Sequence, residues 1–391
     1  MENNQKVIDS IQIIKDFVID VQDPDDFSIG SGLSAKNLFL YNYALTFKDD
    51  DVLESVISSF EKVYESLEDK LNNSGLISGC TGIVWFYLYL CKHGAFELDS
   101  DLVDFFDEFF IKSTLLEKEN GNYDLFYGFL GYAVYFLQKS KMGVSKNNNH
   151  LNFFVDSLEE IAQKDENGVF WVDKYDSTTI NLGLAHGIPS IISFLGKTYL
   201  QTKYEKAKVL GEQSVKWLLS QKTSNNDYCY FPSKIKIDNT SDTNHNGSRL
   251  AWCYGDLSIA HSLITFGKNV DNGYIQKEGE IILLKTLDRK VSDENSSIND
   301  KGFCHGTSGV FYLYKKINES LNKYDITEKY WKDELVKQTD LESFYSYIFY
   351  ENNYKYAPDI GLITGFCGIG LALLSIINEK QDNSWEDIFM I

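Results

Sequence analysis

Proline is nearly absent: four occur in 391 residues, at Pro24, Pro189, Pro232 and Pro358. Proline interrupts helices, so a chain this poor in it can carry long ones, and an α-rich fold is expected. Basic residues are outnumbered. Lys plus Arg is 37 against 57 for Asp plus Glu, a balance of −20. That excludes the broad basic surfaces that grip nucleic acid or anionic membranes. No apolar run reaches the ~18 residues of a membrane span. The N-terminal MENNQKVIDSIQIIKDF lacks the apolar stretch and cleavage site of a secretory signal, so a cytoplasmic protein is expected. Six cysteines are too few for a disulfide framework. In a reducing compartment, cysteines at chemically suggestive places point to metal binding or catalysis.

What the chain has is 43% hydrophobic content, enough for a large core, and 27 glycines, many in one recurring pattern. Seven segments share a glycine, two residues, a small residue and then a dense apolar run. The aligned glycines are Gly32, Gly79, Gly128, Gly187, Gly255, Gly306 and Gly365, spaced by 47, 49, 59, 68, 51 and 59 residues. Periods near 50 indicate a repeat architecture. The run after each glycine is apolar nearly all round, as in IVWFYLYL at Ile83–Leu90, which suits a helix buried on all sides. Between these runs, Val52, Val56, Phe60, Val63, Leu67 and Leu71 recur at helical steps, as do Leu151, Phe154, Val155, Leu158 and Ile161. Buried helices alternating with one-faced ones imply a ring of inner helices wrapped by outer ones. The polar stretch at about 222–249 reads as an inserted loop, and Asn147–His150 as a shorter one. No linker divides the chain, so residues 1–391 are expected to form a single domain.

A repeat makes positions comparable. Just before the aligned glycine stand Ser31, Ser78, Tyr127, His186, Tyr254, His305 and Thr364. One position earlier stand Gly30, Ile77, Phe126, Ala185, Cys253, Cys304 and Ile363. Two cysteines therefore share one column and two histidines the next, and in a ring these columns converge on one mouth. Cys253, Cys304 and His305 make a credible zinc triad, because zinc favours thiolate and imidazole ligands, and three ligands leave a catalytic fourth position open. His186 has no cysteine neighbour. It is either a fourth ligand or a free acid/base. Asp124 and Arg249 fall near the same turns, with a helix cap and a surface ion pair as their plain structural readings. Cys80 and Cys367 lie outside the ligand column and read as core residues, as does His261. Cys91 with His93 is a weak ligand pair, Cys229 has no assigned role, and His150 and His245 read as solvated loop residues.

LAHG at Leu184–Gly187, SRLAWCYGD at Ser248–Asp256 and CHGTSG at Cys304–Gly309 together resemble the lanthionine synthetase C family, the cyclases of lanthipeptide biosynthesis, and their relatives. The resemblance implies an all-α fold, a double α/α toroid of seven inner and seven outer helices with one zinc at its mouth. It implies Cys253, Cys304 and His305 as zinc ligands and His186, Asp124, Arg249 and Tyr254 as active-site residues. The activity implied is Michael-type addition of precursor-peptide cysteines to dehydroalanine or dehydrobutyrine, closing thioether rings. The implied partners are a dehydrated precursor peptide with its leader, a dehydratase and an exporter. An alternative is a peptide- or glutathione-binding relative, or one that adds thiols to dehydrated protein sites. Two local departures stand out: unit one follows Gly32 with LSA, and unit four carries Pro189.

Overall fold

A computed structural model of the chain describes residues 2–65, 67, 71, 73–144, 149–223, 227–237, 247–350, 352–378 and 382–391. Helices run α1 (Glu2–Asp20), α2 (Leu33–Phe47), α3 (Asp50–Glu65), α4 (Cys80–Lys92), α5 (Ser100–Glu119), α6 (Phe129–Lys141) and α7 (Asn149–Ile161). Then come α8 (Ile188–Thr202), α9 (Glu205–Ser220), α10 (Asp256–Asn269), α11 (Gly273–Leu284), α12 (Thr307–Leu321), α13 (Asp325–Leu335) and α14 (Phe366–Ile377). Among the described residues three antiparallel strand pairs lie between them: β1 (Gln163–Asp165) with β2 (Gly168–Phe170), β3 (Thr179–Asn181) with β4 (Lys234–Lys236), and β5 (Ser346–Tyr350) with β6 (Asn353–Ala357).

The glycine-led segments form the buried helices. Every residue of α14 from Phe366 to Ile376 is buried, and so is every residue of α6 from Phe129 to Lys139. The segments between them form one-faced helices. Helix α3 buries only Val56, Phe60 and Val63, and α7 buries Leu151, Phe154, Val155 and Leu158 along one stripe. Proline supports this where it occurs: Pro189 sits in the first turn of α8, where its missing N–H costs nothing.

The chain divides into two compact units. One comprises Met1–Asn73, Ile77–Phe86 and Ser297–Trp385. Within it α12 packs on α14, α14 on α2, and α13, α1 and α3 cover them. The seventh glycine segment thus lies against the first. The other unit comprises Ser74–Leu76, Tyr87–Ser296 and Glu386–Ile391. There α6, α8 and α10 pack in sequence, each against its own one-faced partner, α7, α9 or α11. In that unit Glu386–Ile391 is anchored deeply. Asp387 is within 2.6 Å of Lys141 and 3.4 Å of Lys197, Lys197 also donates to the Ile391 carbonyl, and the Trp252 indole donates to the Phe389 carbonyl at 3.1 Å.

The glycines act at the start of the buried helices. Gly187 is the N-cap of α8, and a Cβ there would stand 2.1 Å from the Asn181 carbonyl oxygen. Gly255 has φ +105 and a Cβ would stand 2.1 Å from the Arg249 carbonyl, so both space and backbone demand glycine. The turns before the glycines are tied to one another through the backbone. Within the first unit Cys304 N–H donates to Ile363, Leu362 to Gly30 and Gly30 to Ile77; within the second, Leu76 donates to Phe126 and Ala185 to Cys253. The column read from the sequence is therefore a physical register.

Two expectations about loops need correction. His150 is not a solvated loop residue. It lies in the first turn of α7, half-buried, with Nδ1 3.7 Å from Asp107, and burial lowers its pKa. The 222–249 stretch is not wholly a polar surface loop, because Cys229 and Phe231 are buried and β4 pairs with β3. Residues 224–226 and 238–246, including His245, and residues 147–148 lie outside the described residues.

Candidate active site and metal centre

Asp124 lies in the turn before α6 and His186 in the turn before α8. Oδ1 of Asp124 accepts the backbone N–H groups of Phe126 and Tyr127 at 2.7 and 2.9 Å. Its Oδ2 is 2.7 Å from Nδ1 of His186. Asp124 does not cap α6, whose N-cap Gly128 has no side-chain cap hydrogen bond; one oxygen closes the turn before the helix and the other faces His186. A carboxylate only accepts, so Nδ1 carries the proton and Nε2 is the basic nitrogen. The imidazole is set by rings on three sides: Phe126 edge-on at 5.4 Å, Tyr127 parallel at 6.1 Å and Tyr254 at 6.4 Å. A recess lined by Asn122, Asp124, Asp173, Lys174, Tyr175 and His186 opens beside it.

Arg249, Cys253 and Tyr254 share the turn before α10. Cys253 is buried, and its carbonyl accepts from Ala185, next to His186. The Tyr254 hydroxyl accepts from Asn181 at 3.2 Å, and burial raises its pKa. Among the described residues Arg249 is half-buried and its guanidinium makes no hydrogen bond or ion pair, so the surface ion pair is not seen. Cys304 and His305, both half-buried, occupy the turn before α12. Cys304 and His305 belong to the first unit and Cys253 to the second, and the three form a group of residues that could hold a metal ion, each offering one ligand atom. His186 stands outside this group. Two thiols and an imidazole are the donor types that zinc selects.

A lanthionine synthetase C-like family model matches residues 23–390. The chain belongs to the lanthionine synthetase C-like family. Among solved structures it is similar to a nisin cyclase, with a TM-score of 0.73 at 18% identity, covering 99% of this chain and 96% of that one. The likeness carries the fold, and the all-α, toroid class expected from the sequence is the one this family member has. No curated protein matches in sequence.

The family repeat also exposes what the sequence reading passed over. Six residues before each aligned glycine stand Asp26, Asn73, Asn122, Asn181, Arg249, Asp300 and Asp359. In Asp26, Asn181, Asp300 and Asp359 the side-chain oxygen accepts the N–H two residues on, a local turn that needs an Asp or Asn. Arg249 cannot make that turn. Its neighbour Ser248 is held instead, by the Cys229 sulfur at 3.3 Å and the Arg289 guanidinium at 3.0 Å. Four residues before the glycine stand Ser28, Gly75, Asp124, Gly183, Ala251, Gly302 and Gly361. Asp124 is the one charged member of a column of small residues. Both residues break the column's structural habit, which marks them apart from scaffold. Asn181, by contrast, keeps its column's habit and was missed for that reason.

Proposed function

We propose that this chain is a zinc-dependent lanthipeptide cyclase. In this reading Cys253, Cys304 and His305 would hold the zinc, which when bound would favour the thiolate of an incoming peptide cysteine. The paired His186 and Asp124 do the proton work. Nε2 of His186 accepts the thiol proton, and Asp124 stabilises the resulting imidazolium. The sulfur forms a bond to the β-carbon of a dehydroalanine or dehydrobutyrine, whose π electrons move onto the carbonyl as an enolate. His186 then returns the proton to the α-carbon, so ring closure is mass-neutral. Arg249 supplies positive charge to the enolate oxygen, and Tyr254 contacts the substrate. The observation that carries the reading is the 2.7 Å Asp124–His186 pair, accompanied by a two-thiol, one-imidazole group.

The reading extends to context. The substrate is a dehydrated precursor peptide with its leader, made by a dehydratase and passed to an exporter. The chain works in the cytoplasm, consistent with the finding that no helix among the described residues is long and apolar enough to cross a membrane. We also take residues 1–391 as one domain, since the family match runs unbroken through both compact units.

The experiment is a metal count on the purified protein followed by incubation with a dehydrated, cysteine-containing peptide. Loss of free thiol without a change in mass is expected. Cys304→Ala should lose both metal and ring closure. His186→Ala should keep the metal and lose ring closure. Metal loss in His186→Ala would make it a ligand and end its assignment as acid/base.

A further inference from the structure

Asn181 closes β3 and starts the turn toward His186. Its Oδ1 accepts the Gly183 N–H at 2.9 Å. That contact decides which way the amide faces, since the oxygen end is taken and both N–H groups point elsewhere. Asn181 Nδ2 donates to the Tyr254 hydroxyl at 3.2 Å, and Asn181 stands opposite Lys234 where β3 pairs with β4. Asp173 is clamped by Lys234 Nζ at 2.8 Å and by the Tyr175 N–H at 2.9 Å. Lys234 comes from β4, in the inserted stretch. Gly183 completes the fit, because a Cβ there would lie 2.5 Å from the Tyr254 ring.

A phenol has one proton to give and lone pairs to receive. Because Asn181 already donates into the Tyr254 oxygen, the Tyr254 proton is free to be given. The Tyr254 ring lies 6.4 Å from that of His186, so a substrate seated against the imidazole is within its reach. We propose that Asn181, Asp173 and Lys234 are positioning residues that set Tyr254 as a hydrogen-bond donor to the substrate carbonyl. This rests on the reading of Tyr254 as a site residue. It also assigns the inserted stretch a task, which is to supply the cation that anchors the relay.

The test is Asn181→Asp. Aspartate fills the same column at Asp26, Asp300 and Asp359 and makes the same turn there, so the fold should accept it. It still receives the Gly183 N–H but can only accept from Tyr254, which turns the phenol proton away from substrate. With a dehydrated cysteine-containing peptide, kcat for ring closure should fall roughly 100- to 1000-fold, the scale of losing one aimed donor. KM and bound metal should stay as in the unmodified protein. Tyr254→Phe should lose a similar factor, and adding Asn181→Asp to it should cost less than about twofold more. Lys234→Gln should show a smaller loss in kcat at unchanged metal content. An unchanged kcat in Asn181→Asp while Tyr254→Phe is impaired overturns the relay. So does an equal loss in both backgrounds, or a loss that tracks released metal. A normal kcat in Tyr254→Phe overturns it by removing Tyr254 from the site, and leaves the cyclase reading standing.

Discussion

Asp124 divides its two oxygens between scaffold and chemistry, and this division makes it a sharp probe. Asn in its place keeps one oxygen for the Phe126 and Tyr127 N–H groups. Its amide then presents donors to Nδ1 of His186, which reverses the tautomer and removes the counter-charge for an imidazolium. Asp124→Asn is therefore expected to fold and to hold metal normally while ring closure slows by roughly 10²-fold or more. Metal analysis beside a thiol-consumption assay checks this. A normal rate would show that the carboxylate serves the turn alone.

Among elements, the buried helices depend on what their first residue lacks. In Gly187→Ala the new methyl would sit 2.1 Å from the Asn181 carbonyl and 2.8 Å from its Oδ1. Crowding of that kind costs about 1–3 kcal/mol. At Gly273, the first residue of α11, a Cβ meets nothing within 4 Å, so Gly273→Ala should be neutral or stabilising. Denaturant midpoints of the two variants should move in opposite directions, or only the first should move. These elements were legible in the sequence because spacing carries them: the 47-to-68-residue period and the apolar runs foretold the buried helices and the turns that lead into them. Less was legible where contacts between distant turns decide. Nothing local distinguishes Asn181 from Asn73 or Asn122; only the arrival of Tyr254 does so. His150 read as loop because the polar run before it hides the start of α7, whose apolar stripe begins one residue later at Leu151.

Across the whole molecule, distant stretches of chain are stitched by charge. Asp387 lies 246 residues from Lys141 in sequence and takes up both Lys141 and Lys197. Burial pushes the Asp387 carboxyl up, but the two lysines outweigh it and hold it below the ordinary value. A depressed folded pKa means that the stabilisation is fully present above the unfolded carboxyl pKa of about 4. It is lost as pH falls through the lowered value. Asp387→Asn should cost about 3 kcal/mol at neutral pH, since it strands the largely buried Lys197 ammonium, while the more exposed Lys141 can turn to solvent. The gap between variant and parent should close in strong acid. Thermal melts across pH would record it, and a pH-independent gap would refute it.

The same stitching bears on biosynthesis. Neither compact unit is contiguous in the chain: one waits for Ser297–Trp385 and the other for Glu386–Ile391. A ribosome that has finished the first 296 residues has made most of the greasy helices and completed neither body. Such a nascent chain must hold its apolar faces apart from other molecules until residues 297–391 have followed. The protein is thus built to mature late, and its yield in a cell should depend on chaperones that guard long unfinished chains.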